Sequence, residues 1–264
     1  MIEIAAAILF ALLVWWAGTG AILVAVRLPR RMLAALMAAS MPVLAASVLL
    51  FDWAAEEPGL TGVFLGFTAA IAIWGWHEFT FLTGAVTGPR PRPCPEGAGE
   101  WRRFTSSVAA LAWHEIGLAV TALALVALTW FDQNQFGLWT FLILFFARIS
   151  AKLNLFLGVP NFSAELIPDA LGHLRSYFRT RAMNLLFPIS ITGLMLALGC
   201  WIERAYAADT IADLAGFTLL AMLTALALIE HWLLVLPLRD AALWQWLLPK
   251  ADAESSSEPT TDRV

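Results

Sequence analysis

Seven long apolar runs divide this chain, and they restrict its fold more than any other feature. A run of 18 or more apolar residues can cross the hydrocarbon core of a bilayer as a helix. With 60% hydrophobic and 14% charged residues, the chain is more apolar than a soluble domain, in which about 25% of residues are charged. The predicted spans cover residues 2–26, 32–51, 60–86, 104–131, 136–158, 183–202 and 211–238. We therefore predict an all-α, polytopic membrane protein with seven transmembrane helices.

The spans leave little room for a second domain. We predict one seven-helix transmembrane domain over residues 1–250. The remaining residues, 251–264, read ADAESSSEPTTDRV, a composition typical of a disordered tail. The sequence thus predicts a single membrane domain followed by a short polar tail.

The distribution of cations predicts the orientation. Fourteen of the 16 Lys and Arg residues fall in connections on one side of the predicted spans, and Arg204 falls on the other. Cytoplasmic loops are enriched in Lys and Arg. We therefore predict a multi-pass protein of the cell inner membrane with a periplasmic N-terminus and a cytoplasmic C-terminus. The cations are explained by this topology, and no nucleic-acid partner is predicted.

An amphipathic segment is predicted between spans 5 and 6. Pro168 followed by Asp169 suits a helix start. The apolar residues then recur at helical spacing, and the basic residues occupy the remaining surface. The apolar positions are Leu171, Leu174, Tyr177 and Phe178, and the basic ones are His173, Arg175, Arg179 and Arg181. The pattern predicts a short helix at the membrane interface, either as a lipid anchor or as a docking site for a partner.

Ionisable residues occur inside four of the spans. Adjacent His and Glu residues lie in three spans, and an Arg lies in a fourth: His77–Glu78, His114–Glu115, Glu230–His231 and Arg148. Counted from the predicted span ends, the histidines and Arg148 lie about 11–15 Å from the cytoplasmic side. Ionisable groups inside a bilayer are costly and usually face one another or a cavity. We therefore predict that these residues form one cluster.

The sequence leaves several roles open for this cluster. The candidate metal ligands are His77, His114 and His231, with supporting or bridging carboxylates Glu78, Glu115 and Glu230. Such ligands suit a divalent metal such as iron or zinc. Alternatively, a histidine ligates the magnesium of a tetrapyrrole, or the groups carry protons or ions. The remaining interpretation is a structural cluster in which the carboxylates pair with Arg148.

Four stretches give the chain a family resemblance: WHEFTFLTGAVTGPR, WHEIG, KLNLFLGVPN and ELIPDALGHLRSYFR. With them, residues 74–232 resemble the PuhE family of photosynthetic-complex assembly proteins of purple bacteria. The resemblance implies an inner-membrane factor that assists assembly of the reaction centre and its light-harvesting complex, or that modulates bacteriochlorophyll supply. The implied partners are reaction-centre or light-harvesting subunits, other assembly factors and membrane lipid. The resemblance brings no catalytic residues.

A different class of function is compatible with the same residues. If the His and Glu residues hold a metal, the protein is a metal-dependent membrane enzyme acting on a lipophilic or tetrapyrrole substrate. Metal or pigment content of the purified protein distinguishes this alternative from the assembly factor.

Overall fold

The computed structural model describes residues 1–161 and 167–237 and contains seven long helices in that part of the chain. They are α1 Ile2–Ala25, α2 Arg30–Glu56, α3 Leu60–Leu82, α4 Glu100–Thr129, α5 Phe136–Leu157, α6 Leu186–Tyr206 and α7 Ile211–Leu233. All seven are long and apolar enough to cross a membrane, which confirms the predicted fold class. The predicted tail, the end of span 7 and the cations Arg239, Lys250 and Arg263 lie outside the described residues.

Several helix ends differ from the predicted spans. α3 ends at Leu82 rather than at residue 86, because Gly84 adopts a left-handed conformation (φ 78°) that an L-residue other than glycine rarely adopts. α4 begins at Glu100, earlier than the apolar run. Hydropathy marks where side chains prefer lipid, whereas a helix continues into water wherever its hydrogen bonds and packing allow.

Helices α3, α5 and α7 form the centre of the bundle. α3 packs against α1, α5 and α7, and α7 also packs against α1 and α5. α2 lies on α3, α6 lies on α7, and α4 lies against α3 and α5. In the most apolar 18-residue stretch of α3, 50% of the residues are buried. In the corresponding stretch of α2, 6% are buried. The polar residues of α3, α5 and α7 therefore belong to the inner helices.

Helices α1, α3, α5 and α7 finish at the same end of the bundle. We call it the basic end, because most described Lys and Arg residues lie there. Arg30 and Arg31 begin α2 at this end, and Arg102 and Arg103 lie in the first turn of α4. That this end faces the cytoplasm stays a prediction, because it depends on the distribution of cations alone.

A small cap covers part of the basic end. It consists of the loop of residues 83–99, the first turns of α4 and a 3₁₀ helix, Asp169–Tyr177. Leu171, Leu174 and Tyr177 are buried against Phe81 and Ala110. The predicted short helix is present as a 3₁₀ helix, in which apolar residues three apart share one face at three residues per turn. This face packs on the protein itself, not in lipid.

The loop of the cap lies directly along α4. The backbone N–H of His114 donates to the carbonyl of Thr87 (2.9 Å), and that of Arg90 donates to the carbonyl of Ala109 (3.2 Å). Gly88 allows this approach, because a Cβ there would lie 2.2 Å from the Ala109 oxygen. The Pro- and Arg-rich loop is therefore packed against the bundle at the level of the candidate site.

Tyr177 joins the loop to the 3₁₀ helix. Its hydroxyl donates to the carbonyl of Arg92 (2.9 Å) and accepts from Nη1 of Arg90 (2.5 Å). Burial raises the pKa of the Tyr177 phenol, although Arg90 opposes the shift. The hydroxyl therefore keeps its proton at neutral pH and remains a donor.

Arg103 attaches the cap to α5. Its guanidinium donates to the carbonyls of Phe156 (3.0 Å) and Tyr177 (2.6 Å) and lies 3.7 Å from the centre of the Phe156 ring. Both carbonyls are at C-terminal ends of helices, where a cation is favourable. Arg103 itself is buried. One side chain thus holds together α4, the end of α5 and the 3₁₀ helix.

Candidate functional site: polar groups inside the bundle

Helix α5 carries polar residues on two opposite faces. Arg148 and Lys152 are four residues apart and share one face. Ser150 and Asn154 share another, about 200° away around the helix. The first face meets α3 and α4, and the second meets α6 and α7. The predicted single cluster is therefore two clusters on opposite faces of α5, and Glu230 of α7 lies within electrostatic range of Arg148.

The first cluster consists of two ion pairs. Nη2 of Arg148 donates to Oε2 of Glu78 on α3 (3.1 Å), and Nζ of Lys152 donates to Oε1 of Glu115 on α4 (2.6 Å). We call these four residues the ionic quartet. Its formal charges cancel, which is the condition under which charged groups are tolerated in a low-dielectric interior. The predicted pairing of Arg148 with a carboxylate is present, with Glu78 as the partner.

His114 lies beside the ionic quartet without a hydrogen bond to it. The side chain is fully buried, and its Nε2 lies 3.9 Å from Oε1 of Glu78. The ring stacks on Phe81 with 4.3 Å between centroids. Neither ring nitrogen has a hydrogen-bond partner among the described residues.

His77 points in another direction. Its Nε2 lies 2.9 Å from Oγ1 of Thr121 on α4, and a Cβ at Gly117 would lie 3.7 Å from its ring. This contact holds α3 against α4 beside the ionic quartet. Thr121 was not predicted as a site residue. The only indication in the sequence is its position seven residues after His114, which places both on one face of α4.

The second cluster contains His231 and no ion pair between described residues. Its Nε2 lies 2.9 Å from Oγ of Ser150, and its Nδ1 lies 2.8 Å from the carbonyl of Ala227. Ser150 donates to Ser190 on α6 (2.8 Å), which also accepts from Asn154 (2.9 Å). This neutral network joins α5, α6 and α7. Its members Ser150, Asn154 and Ser190 were not predicted as site residues. The only indication in the sequence is the four-residue spacing of Ser150 and Asn154, which places both on one face of α5.

Two histidines lie closer to the ends of their helices than to the ends of the predicted spans. His77 lies five residues before the end of α3, or about 8 Å. His231 lies two residues before the end of α7, or about 3 Å. Arg148 lies nine residues before the end of α5, about 14 Å, which agrees with the expectation. The earlier ends of α3 and α7 account for the difference.

The geometry does not assemble the predicted metal ligands. His77, His114 and His231 contact different partners, and within residues 1–161 and 167–237 no three His, Cys, Asp or Glu side chains come close enough to hold a metal ion. The structural interpretation has direct support in the contacts, whereas metal or pigment ligation stays a prediction.

Comparison with known proteins identifies relatives of the whole chain. A family model described as "Protein of unknown function (DUF3623)" matches residues 1–255. The "Uncharacterized 30.4 kDa protein in puhA 5'region" of Rhodobacter capsulatus is 46% identical over 257 residues, which are 95% of this chain and 94% of that protein. No solved structure shows a significant match. Both matches are consistent with the resemblance to the PuhE family.

Proposed function

We propose, on the premise that the chain belongs to the DUF3623 family, that this protein is an inner-membrane assembly factor for the photosynthetic reaction centre and light-harvesting complex. The observation that carries the proposal is the relative named for the puhA 5' region, which is similar along nearly the whole chain. That name links the relative to a position beside puhA, and the PuhE resemblance supplies the assembly role. Modulation of bacteriochlorophyll supply is the second form that such a role can take.

The contacts inside the bundle suit a scaffold. Intramembrane ion pairs that cancel one another, together with a neutral hydrogen-bond network, hold inner and outer helices in register. The basic end adds a packed cap with exposed cationic and aromatic residues, including Arg102 and Trp101. A rigid membrane protein with a shaped polar end is able to hold partner subunits while they associate.

We expect the tagged protein, expressed at native level in photosynthetically growing Rhodobacter capsulatus, to co-isolate with reaction-centre or light-harvesting subunits. Mild detergent extraction followed by mass spectrometry measures the enrichment. The control is a tagged seven-helix membrane protein of unrelated sequence at the same level. Equal recovery of the photosynthetic subunits with both proteins would count against the proposal.

A further inference from the structure

The cap at the basic end carries an excess of positive charge. Residues 83–103 and 167–181, which contain the cap and its flanks, hold seven arginines against three carboxylates. The arginines are Arg90, Arg92, Arg102, Arg103, Arg175, Arg179 and Arg181, and the carboxylates are Glu96, Glu100 and Asp169. A surface with charges mostly of one sign attracts groups of the opposite sign.

Four of the seven arginines are engaged by the protein itself. Nη1 of Arg179 pairs with Oε1 of Glu100 (2.6 Å), and Nη2 of Arg175 donates to the carbonyl of Ile167 (3.0 Å). The other two are Arg90 and Arg103, whose hydrogen bonds hold the cap together. These four side chains therefore have structural contacts already.

The remaining three arginines are exposed and lie around Tyr177. The carbonyl of Arg92 accepts from the Tyr177 hydroxyl (2.9 Å). Arg102 precedes Arg103, whose guanidinium donates to the carbonyl of Tyr177 (2.6 Å), and Arg181 follows Tyr177 by four residues. None of the three side chains makes a hydrogen bond or an ion pair with a described residue. Their guanidinium groups are therefore available to an anionic partner.

The end of α7 lies beside the same surface. The backbone N–H of Asn161 donates to the carbonyl of Leu234 (3.1 Å), which is the C-cap residue of α7. The backbone N–H of Arg181 donates to the carbonyl of Val159 (3.3 Å). Residues 159–161 thus connect the end of α7 to the segment that carries Arg181. The chain therefore leaves the described part of the structure, at residue 237, on the side of the cap that carries this arginine.

The tail that follows has the opposite charge. Residues 251–264 contain four carboxylates and one cation, namely Asp252, Glu254, Glu258, Asp262 and Arg263. An extended chain spans about 3.3–3.6 Å per residue, so the residues between 237 and 252 reach up to roughly 50 Å. That reach covers the cap. A tethered segment meets its site at an effective concentration of about millimolar, at which ion pairs that are weak one by one suffice together.

We propose that the tail, residues 251–264, binds through its carboxylates to the exposed arginines of the cap. Arg92, Arg102 and Arg181 form the surface, and the docked tail covers it. The contact rests on opposite charge and on the position of the end of α7, and it is independent of the assembly role.

The test is a cross-linking experiment on the full-length protein in nanodiscs of phosphatidylcholine, with and without phosphatidylglycerol. Cys94 and Cys200, the free cysteines, are replaced by Ser, and Ser256→Cys carries a benzophenone. After illumination, mass spectrometry locates the attached residues. We expect cross-links from the tail to residues 83–103 or 167–181 in both kinds of nanodisc, and we expect high salt to remove them.

A matched pair of variants shows whether the contact is specific to the cap. Arg92→Gln combined with Arg181→Gln should lower the yield of these cross-links roughly 5-fold. Arg30→Gln combined with Arg31→Gln removes the same charge from exposed positions at the same end, outside the cap, and should leave the yield unchanged. Thermal unfolding confirms that both variants are folded.

A change in the tail gives a second measurement that leaves the described structure untouched. Replacing its four carboxylates by the corresponding amides should lower the cross-link yield at least as far as the cap variant does. The proposal is overturned if wild type gives no cross-links to the cap, or if the cap variant and its control give equal yields. Cross-links that vanish when phosphatidylglycerol is present would assign the arginines to anionic lipid headgroups and also overturn it.

Discussion

Replacing Glu78 by Gln is expected to lower the free energy of unfolding by about 3 kcal/mol. The substitution keeps the size of the side chain but leaves Arg148 without its counter-ion, nine residues before the end of α5. The value lies at the low end for a broken buried pair, because 40% of the Arg148 side chain is exposed and part of the charge is screened. Thermal or denaturant unfolding in detergent micelles measures the change.

Two further variants show whether the loss of stability comes from the unpaired charge of Arg148. Glu78→Gln combined with Arg148→Gln removes both charges and should recover most of the stability. His114→Gln should cost less than Glu78→Gln, because the ring nitrogens of His114 make no hydrogen bond within the described structure. If His114→Gln costs more than Glu78→Gln, the histidine has a partner that the ionic quartet does not supply, and metal or pigment ligation gains support.

Replacing Arg103 by Met is expected to cost about 2–3 kcal/mol, because hydrogen bonds from a buried guanidinium to the carbonyls of Phe156 and Tyr177 are lost. The first measurable effect should be detachment of the cap, since those carbonyls belong to α5 and to the 3₁₀ helix. Limited proteolysis of the 83–99 loop and the 3₁₀ helix, together with thermal unfolding in detergent, measures it.

The neighbouring residue provides the control for Arg103. Arg102→Met removes an exposed cation from the same helical turn and should leave both the proteolysis pattern and the unfolding temperature unchanged. Equal effects of the two variants would mean that charge near the start of α4, and not the carbonyl contacts, holds the cap.

Much of the fold follows from the sequence, because the membrane restricts each span to a helix of known minimum length. The apolar runs gave the seven helices, and Pro168 with Asp169 marked the start of the segment that became the 3₁₀ helix. The helix ends were harder to predict. Gly84 ends α3 through its backbone conformation. The early start of α4 includes Arg103, whose hydrogen bonds to the carbonyls of Phe156 and Tyr177 no local pattern records.

The candidate site was predicted in part. Depth and cost predicted a cluster in which carboxylates pair with Arg148, and Glu78 makes that contact. The pairing of Glu115 with Lys152 was not predicted. Direction around each helix was the missing information: residues two apart on α5, such as Arg148 and Ser150, lie on opposite faces and meet different helices. The contact of His231 with Ser150 and that of His77 with Thr121 therefore required the arrangement of the helices, which the sequence of one chain does not specify.

Deletion of the gene for the relative in Rhodobacter capsulatus, followed by complementation with this chain, tests the assembly role most directly. The quantity measured is the near-infrared absorbance of reaction centres and light-harvesting complexes in isolated membranes, at matched levels of the complementing protein. The account predicts that the deletion lowers both complexes and that this chain restores them. Membranes of the deletion strain that contain wild-type amounts of both complexes would contradict it.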